Sequence, residues 1–292
     1  MTWSKMRSSF LWPAPEPRDP DRLASVAFGA VASGAVLLLA LVLLFLAREA
    51  APVLGSASLA SSRWEPSGGH FGIAAMALGS LLAMMGALVL AIPLGLGTAI
   101  HIRFQASPAV RAVLQPALAL LAGVPSVVFG LWGLTQLVPL IAQVQAPGAS
   151  LLAAMGVLAL MVVPTVALTS LAALDAVPAP WLQGAAALGL SRRAVITGVA
   201  LPAARGGIRS GIALAAARAL GETMAVLMVA DNVVQWPGSV FDPVRVVTAN
   251  IALEMAYAVD HHRAALFASG LVLAGAVLVL TWAATPRRVQ GP

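Results

Sequence analysis

Apolar residues fill six long runs of the chain, and polar residues lie mainly between these runs. Each run is long enough to cross about 30 Å of hydrocarbon as a helix. A helix satisfies its own backbone hydrogen bonds in lipid, and the runs lack the alternation of barrel strands. The pattern predicts an all-α membrane protein with six transmembrane helices, at about 25–47, 73–100, 112–134, 150–174, 210–230 and 264–282.

Composition agrees with a membrane protein. Hydrophobic residues make up 60% of the chain and charged residues 10%, with a mean hydropathy of +0.93. Soluble domains carry about a quarter charged residues. There is no cysteine, which excludes disulfides and thiolate chemistry. The net charge of +6 does not indicate a nucleic-acid partner, because most basic residues lie in predicted loops.

Basic residues are shared unequally between the two sides of the predicted bundle. With a cytoplasmic N terminus, the outer loops hold Arg48, Arg63, Arg245 and Arg263. The cytoplasmic regions hold Lys5, Arg7, Arg18, Arg22, Arg103, Arg111, Arg192, Arg193, Arg205, Arg209, Arg287 and Arg288. The positive-inside rule therefore predicts that both termini are cytoplasmic. Residues 1–24 and 285–292 are then tails, and residues 25–284 form the transmembrane domain.

The longest internal hydrophilic segment, residues 175–209, lies between predicted helices four and five on the cytoplasmic side. Its part 183–202 is typical of a short helix, a break at Gly189, a capping Ser191 and a second helix stopped by Pro202. Small side chains in the first piece allow close approach of another protein. The segment is either a docking site for a soluble partner or an amphipathic loop on the membrane surface.

The spacing of this segment resembles the EAA loop of ABC-importer permeases. In that loop, Glu-Ala-Ala precedes a glycine, and an aliphatic residue, any residue and Leu-Pro follow after nine more positions. Here nine residues separate Gly189 from Val199, and Leu201 and Pro202 complete the pattern. Gln183-Gly184-Ala185 stands where Glu-Ala-Ala is usual. The resemblance implies a type I ABC-importer permease fold and a loop that couples to a separate ATPase. The implied coupling residues are Gln183, Gly184, Ala185, Ala186, Gly189, Leu201 and Pro202.

Two charges interrupt the fifth apolar run. Arg218 lies about 12 Å along the helix from its cytoplasmic start, and Glu222 lies about 6 Å deeper. A charge facing lipid at that depth is costly, and residues at i and i+4 can pair. One interpretation is an ion pair that fixes helix packing. The other places Arg218 on a permeation path, since a guanidinium suits phosphate oxygens, with Glu222 holding the arginine so that the anion can leave.

The stretch RALGETMAV, residues 218–226, followed by Asp231-Asn232, resembles the fifth-helix signature of PstC-type permeases of phosphate ABC importers. Residues 122–133 and 91–100 resemble segments of the third and second helices of the same family. The resemblance implies an inner-membrane subunit that forms a heterodimer with a PstA-like permease over two PstB-like ATPase subunits. Phosphate would arrive from a PstS-like binding protein outside the cytoplasmic membrane. The implied phosphate path contains Arg218, Glu222 and Thr223.

The sequence leaves some other functions open. The chain has no P-loop of the form GxxxxGK[ST], so the ATPase is expected on another subunit, and no cofactor is expected. Alternatives are a sulfate or molybdate importer, the PstA-type sister subunit, a self-contained channel or carrier, and an intramembrane serine protease using Ser126. A protease would also need a histidine within hydrogen-bond reach.

Two residue groups have more than one interpretation. Small residues and a proline on the third helix either form a flexible break or pack tightly around a proline kink. These residues are Gly123, Pro125, Gly130 and Gly133. A second group, formed by Glu254, Asp260, His261 and His262, matches no known metal-site spacing. An exposed outer loop explains that group better, and no metal is expected.

Overall fold

The computed structural model describes residues 19–55 and 57–284, which are mostly helical. The chain divides into two compact units, residues 1–48 and 49–292. In the first unit the described residues form one helix, which continues to Leu54. Its sequence is rich in large apolar side chains, such as Phe28 and Leu38. An apolar surface of this kind needs lipid or another protein to cover it.

The second unit contains a short antiparallel hairpin and the other helices. The strands β1 (Trp64–Glu65) and β2 (His70–Phe71) pair Trp64 with Phe71. The helices of the chain are α1 (Asp19–Leu54), α2 (Ala74–Phe104), α3 (Pro108–Gly123), α4 (Ser126–Trp132), α5 (Val138–Ala142), α6 (Leu151–Asp175), α7 (Ala179–Ala187), α8 (Arg192–Val195), α9 (Leu201–Leu220), α10 (Met224–Val229), α11 (Val247–Glu254) and α12 (Asp260–Ala284). Single π-helical turns join α4 to α5 (Gly133–Leu137) and α8 to α9 (Ile196–Ala200).

Among the described residues, four helices are long and apolar enough to span a membrane without a break. They are α1, α2, α6 and α12. A fifth span results if α3 and the helix that follows it, bent by 91°, are taken together. The prediction of one helix over 112–134 is therefore wrong, because the chain turns sharply at Val124 and Pro125. The total of six spans and the side of the membrane on which the termini lie stay predictions.

The predicted helix at 210–230 is also interrupted. Helix α9 starts earlier, at Leu201, and ends at Leu220, and α10 begins only at Met224. Gly221 and Thr223 lie in the gap, and both glycine and β-branched residues have low helix propensity. Three arginines, Arg205, Arg209 and Arg218, make α9 less apolar than a typical membrane span.

Helix α6 is the centre of the second unit. It is buried along most of its length and packs against α2 and α9. Its N-terminal Ser150 accepts a hydrogen bond from the backbone N–H of Ala153 at 3.3 Å, which caps the helix. Glycine allows the close approach of α2, since a Cβ on Gly95 would lie 2.8 Å from Val166 Cβ. Small residues between helices are typical of membrane bundles.

A buried carboxylate organises the end of the unit that carries the hairpin. Glu254 Oε2 accepts a hydrogen bond from Trp64 Nε1 at 2.8 Å and lies 2.8 Å from His262 Nε2. Arg245 Nη1 donates to Glu254 Oε1 at 2.8 Å and to Asn250 Oδ1 at 3.0 Å. The carboxylate thus joins β1, α11, α12 and the segment before α11. We call these residues the Glu254 cluster.

The Glu254 cluster contradicts part of the prediction that Glu254, Asp260, His261 and His262 lie in an exposed outer loop. Asp260 and His261 are exposed, but Glu254 and His262 are not, so an exposed outer loop is the wrong account of those two. In the part of the chain that the structure describes, no three His, Cys, Asp or Glu side chains are grouped to hold a metal ion. Buried charges are ordinarily paired and hydrogen-bonded, and here the partners come from distant segments.

Candidate functional site

Two interrupted helices meet at the candidate site. Helix α10 packs against α4, next to the bend between α3 and α4. The contact is close, because a Cβ on Gly130 would lie 2.9 Å from Ala225 Cα and 2.9 Å from Met228 Sδ. Gly130 therefore acts by close packing, and Gly123 and Pro125 lie at the bend. Interrupted membrane helices expose backbone groups at depth, which is tolerated where they face protein or a cavity.

We expect Gly130→Ala to disturb this crossing. The added methyl group meets backbone that cannot move away, and overpacking of this kind costs about 1–3 kcal/mol. The midpoint of thermal denaturation and the rate of transport should both fall. Gly97→Ala is the matched control, since its Cβ would have no atom within 4 Å. Denaturation midpoints that are equal for the two variants would show that the crossing is not tight.

Arg218 lies in the last turn of α9, and its side chain is exposed within the chain. Its Nη2 lies 3.5 Å from the backbone oxygen of Ala122, a long hydrogen bond at the end of α3. The contact links the two interrupted helices at their breaks. Among the described residues, no acidic side chain lies within ion-pair distance of this guanidinium. Its positive charge and most of its donors remain available to an anion.

Glu222 lies in the gap between α9 and α10. Its Oε1 accepts a hydrogen bond from the backbone N–H of Ala225 at 3.1 Å, and its backbone oxygen accepts one from Thr248 Oγ1 at 2.7 Å. The predicted pairing of Glu222 with Arg218 is therefore wrong for the described structure. That prediction assumed an unbroken helix, and α9 ends between the two residues. The carboxylate instead satisfies an N–H group at the start of α10.

Thr223 is half-buried in the same gap. Its Oγ1 lies 3.5 Å from the backbone oxygen of Gly221. The structure thus places all three predicted path residues at or next to one break. It adds two groups that the sequence did not single out, the backbone oxygen of Ala122 and the hydroxyl of Thr248. No local pattern identifies them, because they come from 96 residues before Arg218 and 26 residues after Glu222.

The 175–209 loop forms a second candidate site at the other end of the unit. Gln183, Gly184 and Ala186 of α7 are exposed, and Ala185 is buried. Gly189 ends this helix with a positive φ of 77°, which favours glycine. Ser191 Oγ then accepts a hydrogen bond from the backbone N–H of Ala194 at 3.3 Å and caps α8.

Pro202 does not stop the second helix of this loop. It occupies the first turn of α9, directly after the π-helical turn Ile196–Ala200. A proline inside a helix removes one N–H and clashes with the carbonyl four residues before it. The wider π turn accommodates this, so the chain continues as a helix from Arg192 to Leu220. Leu201 and Pro202 thus connect the loop directly to the helix that carries Arg218.

Comparison with known proteins identifies the family. The family described as binding-protein-dependent transport system inner membrane component matches residues 91–285. The chain is 31% identical over 247 residues to the phosphate transport system permease protein PstC of Mesorhizobium japonicum, covering 77% of this chain and 76% of that protein. The chain belongs to the binding-protein-dependent transport family. It is a membrane-embedded permease subunit of an ABC importer.

Further matches agree with this assignment. A probable ABC transporter permease protein, YqgH of Bacillus subtilis, is 38% identical over 203 residues, 68% of this chain and 66% of that protein. Among solved structures, a chain of the MetNI methionine ABC transporter in inward-facing conformations superposes with a TM-score of 0.58 at 14% identity. It covers 71% of this chain and 90% of that chain, which supports the ABC-importer permease fold.

Proposed function

We propose that the chain is the transmembrane subunit through which an ATP-driven importer carries inorganic phosphate into the cytoplasm. A PstS-like binding protein delivers the anion, a PstA-like permease forms the other half of the pathway, and two PstB-like subunits hydrolyse ATP. The names of similar PstC proteins support phosphate as the substrate.

The main support for the proposal is the exposed guanidinium of Arg218. Its guanidinium is exposed at the meeting point of two helix breaks and is not neutralised by Glu222. A planar guanidinium binds a tetrahedral oxyanion through two donors at once. Its contact with the backbone oxygen of Ala122 is long, at 3.5 Å, so an incoming anion has little to displace. A permeation site must also release its ion, and one arginine suits transient binding.

The 175–209 loop supports an ATPase partner. Large apolar side chains on it, Trp181, Leu188 and Leu190, are exposed, and Leu188 is 83% exposed. Exposed apolar patches rimmed by polar residues are typical of protein–protein contacts. We propose that the ATPase subunits close on ATP and pull residues 183–202. The continuous helix through Pro202 passes this movement to Arg218, and the pathway opens alternately to the two sides.

The test is uptake of labelled phosphate by cells that lack their own high-affinity system. The chain is expressed with its partner permease, ATPase and binding protein. We expect uptake that depends on ATP and is not reduced by excess sulfate or molybdate. Uptake of sulfate or molybdate in place of phosphate would reject the substrate and leave the importer. Uptake without the ATPase subunit would reject the coupling mechanism.

A further inference from the structure

One carboxylate joins the ends of three helices where the 175–209 loop begins. Asp175 is the last residue of α6. Its Oδ2 accepts a hydrogen bond from Arg111 Nη2, near the start of α3, at 2.8 Å. Its Oδ1 lies 2.9 Å from Nε of Arg103, at the end of α2, as a charge contact without hydrogen-bond geometry. We call these three residues the Asp175 bridge.

The bridge lies directly beside the anchor of the loop. Val177, two residues after Asp175, is buried in an apolar cluster with Ile102 of α2 and Ile208 of α9. Leu182 of α7 packs against the same cluster. A displacement of the loop therefore reaches the ends of α2, α6 and α9 through apolar contacts. Packed contacts of this kind carry coupling between distant sites.

Helix α3 packs less deeply against the apolar cluster than α2, α6 and α9 do. None of its residues is buried, although Leu114 and Leu118 pack partly on the apolar cluster. At its start, Arg111 adds a charged contact to Asp175. At its other end, the backbone oxygen of Ala122 contacts Arg218. These two residues are eleven positions apart, about 16 Å along a helix. Helix α3 thus connects the origin of the loop to the candidate anion site.

We propose that Asp175 is a positioning residue that transmits movement of the 175–209 loop to α3, so that α3 moves together with α9, the helix that carries Arg218. The inference rests on the proposed coupling of this loop to an ATPase. The bridge is well suited to such a role because its three side chains are partly exposed. The Arg111–Asp175 pair is the more exposed half of the bridge, at 37% and 35%, and exposed ion pairs contribute only about 0–1 kcal/mol to folding stability. Asp175→Asn also keeps a side-chain oxygen near Arg103, so we expect the variant chain to fold.

A single cysteine can report this movement, since the chain has no cysteine of its own. Gly123→Cys places a thiol at the last residue of α3, where an added Cβ has no atom within 4 Å. The complex with its partner permease and ATPase subunits is treated with a charged methanethiosulfonate, with and without ATP. The labelling rate is read on this chain after the subunits are separated. We expect ATP to change that rate severalfold, because a displacement of α3 changes the access of the reagent to the thiol.

The Asp175 bridge should be needed for the effect of ATP on the labelling rate. We expect Asp175→Asn and Arg111→Gln each to abolish most of the ATP-dependent change in labelling rate. Asp175→Glu should retain the change, because a carboxylate on a longer stem still reaches both arginines. Arg103→Gln should act less strongly, since Arg103 belongs to α2 and its contact with Asp175 lacks hydrogen-bond geometry. The matched control is Glu65→Gln, which removes an exposed ion pair with Arg63 in the hairpin and should leave the change intact.

Two labelling results would contradict the proposed role of Asp175. An ATP-dependent change that persists in Asp175→Asn would overturn it, and so would the absence of any change in the Gly123→Cys protein with Asp175 intact. The readout does not use the transported ion, so a failure of phosphate uptake is seen separately and leaves the labelling result valid. A chain that does not assemble with an ATPase subunit would overturn both proposals before labelling begins.

Discussion

Arg218→Gln is expected to lower the initial rate of phosphate uptake about tenfold to a hundredfold in an assembled complex. A hydrogen bond to a charged group is worth about 1.5–3 kcal/mol, and glutamine is a shorter, uncharged side chain that loses both the charge and the fork. The measurement is labelled phosphate uptake at matched amounts of complex in the membrane. Arg218→Lys should retain part of the rate, because lysine keeps the charge but cannot bind an oxyanion through two parallel donors.

The control for Arg218→Gln is Arg209→Gln. Arg209 is another exposed arginine of α9, and it lies nine residues before Arg218 and away from the break. We expect its replacement to leave uptake close to that of the unmodified chain. Equal uptake by both variants would show that Arg218 is a packing charge and not part of the anion path. A complex that fails to assemble only with Arg218→Gln would point to a structural role at the Ala122 contact.

The sequence predicts the long helices well because their signal is local. Helices α2 and α6 begin and end within a few residues of the apolar runs that predicted them. The features of the 175–209 loop that depend on neighbouring residues also follow from the sequence. Gly189 has the left-handed backbone that a glycine break suggests, and Ser191 caps the next helix.

The breaks near the candidate site are less visible in the sequence. Gly123 and Pro125 signal a bend, but their pattern also fits a mild kink in a continuous helix. The pairing of Arg218 with Glu222 followed from i,i+4 spacing, which holds only while the helix continues. Whether a glycine such as Gly221 ends a membrane helix depends on the surrounding packing. Here Thr248, from another helix, supplies a hydroxyl to the gap.

Long-range packing also explains why the predicted exposed loop is wrong for Glu254. A carboxylate near two histidines in a polar stretch is normally solvated, and the sequence gives no sign that Trp64 reaches it. The two residues are 190 positions apart, and their hydrogen bond exists only after the bundle has formed. Sequence pattern therefore predicts elements and local turns, whereas the burial of a charge depends on long-range packing.

The importance of that buried charge can be measured. Glu254→Ala is expected to destabilise the chain by about 3–5 kcal/mol, because it leaves a partly buried arginine without its counter-ion. Arg245 would keep its bond to the amide oxygen of Asn250 but lose its charged partner, and Trp64 Nε1 would lose its acceptor. Glu254→Gln should cost less, since an amide oxygen can still accept from Arg245.

The measurement is the midpoint of thermal denaturation of the purified permease complex in one detergent. Glu65→Ala is the matched control, because its carboxylate pairs with Arg63 where both side chains are largely exposed. Such surface pairs are worth about 0–1 kcal/mol, so its midpoint should stay near that of the unmodified protein. A midpoint for Glu254→Ala as high as that of Glu65→Ala would mean that water reaches the Glu254 cluster and solvates its charges. In that case the hairpin and α12 would be held together by the apolar cluster that contains Phe71, Ala265 and Ala268, without a contribution from the carboxylate.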